Sequence, residues 1–593
     1  MSFLKRTHTC GDLRLTDKGK KVILNGWVQS RRDHGGIIFI DVRDRYGLTQ
    51  IVFDPKISEA AHAEANGLRR EDVVAAEGTV RFRGEGLVNP RMETGEIEII
   101  IDRLEILNKA ETPPIEVDDR KVASDEVRLR YRYLDLRRPA MQKNLITRHK
   151  IAQVTRKYMD KQGFLEIQTP MLLRHTPEGA RDFIVPSRLH PGKAYSLPQS
   201  PQLFKQILMV SGMDKYFQLA ICMRDEDLRA DRQPEFTQID MEMSFVEQED
   251  IHKVVEGLMK EIIKEAKGIE IKTPFKKISY DEAIAKYGID KPDLRYGLEI
   301  IDITSAVKES AFKVFTDACE KGETVKCINA IGCGNFSRKD IDELTEFTAK
   351  HGAKGLAWAK VVEGKLSSSI TKYLSNSVQD AIIAQVYAKE NDLLLMIAGT
   401  HKKASEIMGQ LRIELGRKLN LTNSEALELC WIVDYPLFEW SEDEQRWAPC
   451  HHIFTMPQEK YWPTLESNPG EVKGKLYDLV MNGTELGSGS IRIHRSDIQK
   501  RVLNIIGMSE EQAMNKFGFL INSFKYGAPP HGGIGLGFDR IVALLSGTND
   551  IREVIAFPKN KNMECPMDDS PSEVDASVLK EVHMKWDIVK KEK

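Results

Sequence analysis

The residues with the most evident chemistry stand in one charged run, Arg224-Asp225-Glu226-Asp227-Leu228-Arg229-Ala230-Asp231-Arg232-Gln233-Pro234, continued by Glu235-Phe236-Thr237-Gln238-Ile239-Asp240-Met241-Glu242. A strand-like run from Phe217 to Met223 leads in and another from Glu235 to Met243 leads out, so the stretch predicts an antiparallel hairpin with a long polar loop. Side chains alternate faces along a strand. Parity therefore gathers Phe217, Leu219, Ile221 and Met223 with Thr237, Ile239, Met241 and Met243 on a face expected to be buried. The other face carries Gln218, Ala220, Cys222 and Arg224, then Phe236, Gln238, Asp240 and Glu242. It reads equally as a solvated sheet face or as a ligand surface. An Arg able to hold phosphate through parallel N–H donors, opposite a flat aromatic ring, favours a nucleotide.

A second carboxylate pair lies in Tyr477-Asp478-Leu479-Val480-Met481-Asn482-Gly483-Thr484-Glu485-Leu486, which predicts a hairpin with a two-residue Asn-Gly turn. That register pairs Met481 with Thr484 and Val480 with Glu485, and sets Asp478 on the face of Glu485, one diagonal step away. Two carboxylates on one face repel unless a hard cation lies between them, and Mg²⁺ shared with nucleotide phosphates suits such a pair. Gly533-Ile534-Gly535-Leu536-Gly537-Phe538-Asp539-Arg540 precedes an apolar helix. It is G-x-G-x-G with no βαβ unit, which excludes a Rossmann site, while its glycines allow close approach of backbone to a nucleotide. His451-His452 is not a metal pair, since neighbours on an extended chain point apart. No covalent nucleophile and no Ser/His or Cys/His pair stands out.

The elements that must position these groups are spread over 593 residues, a length for roughly three to four domains. Formal charge is −3, which is neutral on nucleic acid because a local patch suffices. The eight Cys residues are scattered without C-x-x-C, and there is no long apolar run or signal-like start, so a reduced cytoplasmic protein without structural zinc or a membrane span is expected. Residues 1–108 hold short β-rich runs that fit a small barrel of the OB type. Up to Gly36 there are eight basic against three acidic residues, net +5. A basic surface beside Phe39 suits stacking of unpaired bases, while spacing alone favours a solvated basic arm with Phe39 in the barrel core. Glu111-Thr112-Pro113-Pro114 opens a hinge over 109–140. A helical pattern ending at Gly163, then Phe164-Leu165-Glu166-Ile167 and Pro170, begins a core over 141–290. Residues 291–425 read as an inserted α/β module of unreadable role, 426–557 as the second half of the core, and 558–593 as a C-terminal extension.

The nineteen residues Arg224 to Glu242 resemble motif 2 of class II aminoacyl-tRNA synthetases, in the version of bacterial-type aspartyl enzymes. Helix, strand and Pro170 resemble motif 1, and Gly533 to Arg540 resembles motif 3, so the likeness runs over nearly the whole chain. It implies an α+β multidomain protein: an N-terminal OB-fold barrel, a class II antiparallel-sheet core with flanking helices, and an inserted α/β domain. It implies a homodimer with Pro170 at the interface. The implied reaction joins L-aspartate to ATP and passes the aspartyl group to tRNA.

The resemblance also implies roles. Arg224 holds the α-phosphate, Glu226 the adenine amino group, Phe236 stacks on adenine and Arg540 covers its other face, which makes Arg224 and Arg540 the catalytic pair. Further ATP contacts fall on Asp225, Gln233, Gly537, Phe538 and Asp539. Aspartate is met by Glu178, Ser200, Gln202, Lys205, Asp240, His451 and Arg492, and Mg²⁺ by Asp478 and Glu485. By plain alternation Arg492 faces away from Glu485, so its role requires a register change, expected at Gly487-Ser488-Gly489. On the barrel, Arg32, Phe39 and Gln50 read the anticodon. His34, together with Gly86, matches relatives that charge tRNA(Asn) as well as tRNA(Asp), where stricter ones often carry Leu. The rivals are an asparaginyl or lysyl synthetase, and a nucleic-acid-binding protein with a dead core.

Overall fold

The computed structural model describes residues 3–175, 180–423 and 425–588. By internal contacts the chain divides into two compact units, Met1–Ile146 with Ala556–Ser572, and Thr147–Ile555 with Glu573–Lys593. The hinge and part of the C-terminal extension thus belong with the barrel.

In the first unit, five strands among the described residues, Lys21–His34, Ile37–Arg43, Leu48–Phe53, Val73–Phe82 and Ile97–Asn108, close into a barrel. Alternation drives it: Val22, Leu24 and Val28, then Ile38, Ile40 and Val42, point into one core. The first hairpin turns on Gly35 and Gly36, at φ +60° and +82°, a conformation that glycine alone adopts without strain.

In the second unit, eight strands among the described residues form one sheet in the order Lys276–Ser279, Leu429–Val433, Leu476–Met481, Thr484–Ile491, His531–Gly537, Glu235–Ser244, Lys215–Met223, Leu165–Glu166. The inner pairs are antiparallel and the two edge pairs parallel. The predicted hairpin is present, with Met223 opposite Glu235 and Gln218 opposite Asp240. Its Phe217, Ile239, Met241 and Met243 enter the main core against helix Gln248–Lys267, whose Ile251, Val255, Leu258, Met259 and Ile262 recur at helical spacing. Ile221 departs from the expected buried face at 52% exposure, because this core ends short of the loop end of the hairpin.

The inserted segment carries its own sheet, Ile300–Asp302, Thr324–Ala330, Leu393–Gly399, Ala357–Val362 and Lys365–Ser367 in spatial order. Leu394 and Met396 face one apolar cluster, and Leu393, Leu395 and Ile397 another, which explains an uninterrupted apolar strand. One close backbone approach joins it to the core, and one buried arginine ties its first residues to its last helix. Gly288 lies so close to Gly409 that a Cβ there would stand 2.6 Å from the Gly409 Cα. Arg412, 1% exposed, donates to the carbonyls of Asp293, Tyr296 and Gly297 at 2.8–2.9 Å.

Between the barrel and the second unit's sequence, Asp135 is fully buried and accepts from three guanidinium groups: Arg128 (3.0 and 3.2 Å), Arg132 (2.7 Å) and Arg138 (2.7 Å). Burial alone pushes this carboxyl upward, but the hydrogen bonds from Arg128 and Arg138 and the arginine charges outweigh it and hold the group below its ordinary 3.8. Folding therefore favours the ionised form. Its stabilisation is present above roughly pH 4 and is lost as pH falls through the depressed folded value. Asp135→Ala should destabilise the first unit by about 3–5 kcal/mol, since it strands buried cations. Amide hydrogen exchange across residues 125–141 at pH 7 checks this, and unchanged protection there would refute it.

Candidate active site

A cavity of about 690 Å³ opens on the polar face of the eight-stranded sheet, lined by Arg224, Phe236, Asp240, Glu485, Arg492 and Arg540 among others. Register explains how residues so distant in sequence meet. Gln238, Asp240 and Glu242 lie directly opposite Gly537, Gly535 and Gly533, and the last two glycines lie opposite Ser488 and Ser490. The alternate glycines therefore form a floor without side chains. A Cβ on Gly535 would stand 3.2 Å from Gln238 Oε1, and one on Gly533 would meet Glu242 Oε2 at 2.2 Å.

The register change that Arg492 requires is present, one residue before the expected Gly487-Ser488-Gly489. Val480 pairs with Glu485 and Leu479 with Gly487, leaving Leu486 as the extra residue. The Asn-Gly turn is as predicted, with Asn482 at φ +52° and Gly483 at φ +79°. Beyond the bulge, Asp478 pairs with Ser488 and Leu476 with Ser490, so Glu485, Ser488, Ser490 and Arg492 share the cavity face.

Deep in the cavity four charges are buried together. Lys205 Nζ is 2.6 Å from Asp240 Oδ1 and 3.5 Å from Glu242 Oε2, while Arg492 meets Glu242 through Nε at 2.9 Å and Nη2 at 3.2 Å. Burial drives the Asp240 carboxyl upward against the pull of Lys205. Burial acts the same way on Glu242, but there Arg492 and Lys205 prevail and the group is held low. Arg492 Nη1 donates to His452 Nε2 at 2.6 Å and to Ser490 Oγ at 2.8 Å. Since the guanidinium can only donate, His452 is neutral here, and burial followed by the Arg492 charge keeps its pKa well below the ordinary value. His451 shifts the other way. Burial opposes its charge, but Asp478, 3.9 Å away, with Glu485 and Asp290 raises it.

Nearer the loop, the Arg224 guanidinium lies 5.2 Å over the Phe236 ring and donates to the Gln199 carbonyl. Arg540 donates to the Glu485 carbonyl at 3.0 Å and to Asp231 at 3.2 Å. Glu226 accepts from Arg232 at 3.2 Å, and Gln233 and Ser200 also line the cavity. Three buried polar atoms, Gln202 Nε2, Asp240 Oδ2 and Asp478 Oδ1, have no hydrogen-bond partner among the described residues. Such atoms are rare in folded proteins and mark where a ligand is expected. A hard divalent cation fits the Asp478/Glu485 face: Asp478 Oδ1 is unmet, and burial followed by the Asp478 charge pushes both Glu485 and Asp290 upward. Among the described residues no group of three or more His, Cys, Asp or Glu could hold a metal by itself, so an ion bound here would need further oxygen ligands from phosphate and water.

Two of the expected ATP contacts, Phe538 and Asp225, lie outside the cavity lining, while Asp539 lines the cavity with its carboxylate already engaged. Phe538 is in the main core beneath Arg148, whose guanidinium is 4.8 Å over the ring, because the first turn of its helix faces inward. The Asp539 carboxylate is taken by Arg148 and by the Thr237 amide at 2.7 Å, so it ties the helix to the hairpin strand. Asp225 is bound to Arg181, with backbone at 3.1 Å and side chains at 3.5 Å, outside the cavity lining. Glu178 lies outside the described residues. Sequence reasoning missed Ser490 and His452, and it placed Glu242 on the right face without a role. A carboxylate inside a strand facing two basic residues was the available signal.

On the barrel, Phe39 points outward between the buried Ile38 and Ile40, which removes the core alternative. Arg32 donates to Asp41 at 3.0 Å and to Gln50 at 3.2 Å, and Gln50 donates to Glu98 at 2.7 Å. Glu98 also accepts from Arg81 at 2.7 Å, so a polar network fixes the outer face beside Phe39. His34 is exposed with its ring 6.1 Å from that of Phe39, and Gly86 occupies an open loop at φ +78°.

Comparison with known proteins agrees with this geometry. The family described as "tRNA synthetases class II (D, K and N)" matches residues 124–561, and the "OB-fold nucleic acid binding domain" family matches residues 22–107. The "Aspartate--tRNA(Asp/Asn) ligase" of Thermoanaerobacter sp. (strain X514) is 52% identical over 588 residues, covering 99% of each chain. That of Heliobacterium modesticaldum is 52% identical, covering 99% of this chain and 97% of its own. In fold, the chain is similar to asparaginyl-tRNA synthetase from Pyrococcus horikoshii complexed with asparaginyl-adenylate, with TM-score 0.58 at 20% identity over 94% of this chain and 98% of that one. The barrel, the bulged sheet with its glycine floor and these matches lead to one conclusion: the chain belongs to the class II tRNA synthetases of the D, K and N family.

Proposed function

We propose that the protein is an aspartate–tRNA ligase that forms aspartyl-adenylate from L-aspartate and ATP and delivers the aspartyl group to tRNA(Asp) and also to tRNA(Asn). The observation that carries this is the pair of buried cations, Lys205 and Arg492, in the same cavity as Arg224, Phe236 and Arg540. Two cations at the amino-acid end suit a side-chain carboxylate and disfavour lysine. The relatives' names support the substrate, and His34 with Gly86 support the second tRNA.

In this reading Lys205 and Arg492 hold the β-carboxylate, Asp240 and Glu178 the ammonium, and Ser200, Gln202 and His451 complete the aspartate site. Adenine lies between Phe236 and Arg540, with Glu226 at its amino group and Gln233 and Gly537 alongside. Arg224 holds the α-phosphate. Mg²⁺ held by Asp478 and Glu485 supplies charge neutralisation for the triphosphate. An α-carboxylate oxygen attacks the α-phosphorus in line, the bond to the bridging oxygen breaks and pyrophosphate leaves. A hydroxyl of the terminal tRNA adenosine then attacks the aspartyl carbonyl, AMP leaves, and the ester remains on the tRNA. Alignment and preorganised charge carry both steps. On the barrel Phe39 stacks an anticodon base while Arg32 and Gln50 hydrogen-bond neighbours. The protein acts in the cytoplasm as a homodimer; the pairing is supported by Leu165 and Leu172, 53% and 54% exposed on either side of Pro170.

Arg224→Ala should lower aspartate-dependent ATP–pyrophosphate exchange by about 10²–10³-fold, the loss typical of removing one preorganised charge-stabilising donor. A near-normal rate would remove Arg224 from its role. Charging assays with separate tRNA(Asp) and tRNA(Asn) transcripts should show aspartate on both. Charging of tRNA(Asp) alone would discard His34 as a mark of the wider range, and charging of neither would return the dead-core rival.

A further inference from the structure

Asp478 is tied to a buried tyrosine outside the cavity lining. Tyr435 follows the strand Leu429–Val433, is 2% exposed, and its hydroxyl donates to Asp478 Oδ2 at 2.7 Å. The ring is held by packing as well as by that bond. It belongs to the apolar cluster of Ile278, Tyr287, Ile432, Leu476 and Val480, and lies 4.9 Å from the Tyr280 ring. Its backbone carbonyl accepts from the Gly474 amide at 2.9 Å. The Tyr435 ring also meets His451 edge-on, with centroids 5.0 Å apart at 79°, and His451 Nε2 approaches the same Asp478 oxygen at 3.9 Å. One carboxylate oxygen is thereby occupied, while Oδ1, equally buried, has no hydrogen-bond partner among the described residues.

We infer that Tyr435 is a positioning residue for the divalent cation: its hydroxyl engages Asp478 Oδ2 so that Oδ1 is presented to the ion, and its ring sets His451 beside the same carboxylate. The inference rests on the reading of Asp478 as a metal-holding residue and adds the group that orients it. A carboxylate free to rotate divides its time among orientations, whereas one clamped through a single oxygen offers the other in a set direction. Outer partners of this kind commonly change metal affinity by 10- to 100-fold when removed. Tyr435→Phe deletes only the hydroxyl and keeps the ring in its apolar cluster.

The test uses the full chain with Mn²⁺ as the spin probe and α,β-methylene ATP as the nucleotide. Electron paramagnetic resonance reads the Mn²⁺ affinity of the protein–nucleotide complex, and a separate titration reads affinity for the metal-free nucleotide. Tyr435→Phe should weaken Mn²⁺ binding by about 10- to 100-fold while metal-free nucleotide binding stays within about twofold. Asp478→Asn should weaken Mn²⁺ at least as much. If Asp478→Asn weakens Mn²⁺ and Tyr435→Phe does not, the positioning role is overturned while the metal reading stands. Equal loss of metal-free nucleotide binding in Tyr435→Phe would also overturn it, as that is general loosening of the site. If Asp478→Asn leaves Mn²⁺ binding unchanged, the metal reading falls and the inference falls with it.

Discussion

The catalytic face depends on four buried charges that balance one another. Lys205, Asp240, Glu242 and Arg492 are all nearly or wholly shielded from solvent, and each cation has a carboxylate within 3 Å. Burying such groups is costly, and taking one away leaves an uncompensated charge in a low-dielectric site. Helix Gln202–Val210 supplies one member, the hairpin strand supplies two, and the fourth directly follows the bulged strand Thr484–Ile491. Those elements must hold their register together. The result is a polar end to a cavity in which Asp240 Oδ2 and Gln202 Nε2 have no hydrogen-bond partner among the described residues.

Two local devices make the quartet possible. Glycines opposite Asp240 and Glu242 remove the side chains that would otherwise fill the floor, since a Cβ at Gly533 collides with Glu242 itself. The extra residue Leu486 reverses parity within one strand, so Glu485 before it and Arg492 after it face the same way. One bulge thus turns both the Glu485 carboxylate and the Arg492 guanidinium toward the cavity. Asp539, engaged by Arg148 and the Thr237 amide, ties the helix after the glycine strand to the hairpin and keeps Arg540 at the cavity wall.

The barrel shows the same economy on another surface. Strand alternation sends Ile38 and Ile40 inward and leaves Phe39 outside, where Arg32, Asp41, Gln50, Glu98 and Arg81 hold one another in place. Their mutual hydrogen bonds set the shape of a face on which a base can stack. His34 and Gly86 lie outside that network: the first is an exposed ring at the end of the strand Lys21–His34, the second a glycine in an open turn.

What the sequence determined was local. Alternation placed Arg224, Phe236, Asp240 and Glu242 on one face, the Asn-Gly pair set the Met481–Thr484 register, and the order of β-rich runs gave the barrel, because these patterns depend on residues a few positions apart. Tertiary structure decided which groups are partners. That Phe538 turns inward, that Asp225 and Asp539 are occupied by Arg181 and Arg148, that Glu242 sits between Lys205 and Arg492, and that Tyr435 holds one oxygen of Asp478 are facts about residues tens or hundreds of positions apart. The bulge at Leu486 also lay outside the pattern of the sequence, where the neighbouring glycines pointed one residue too far along. Ion pairing and burial are set by what other strands and helices bring near, and alternation along a single strand carries no record of that.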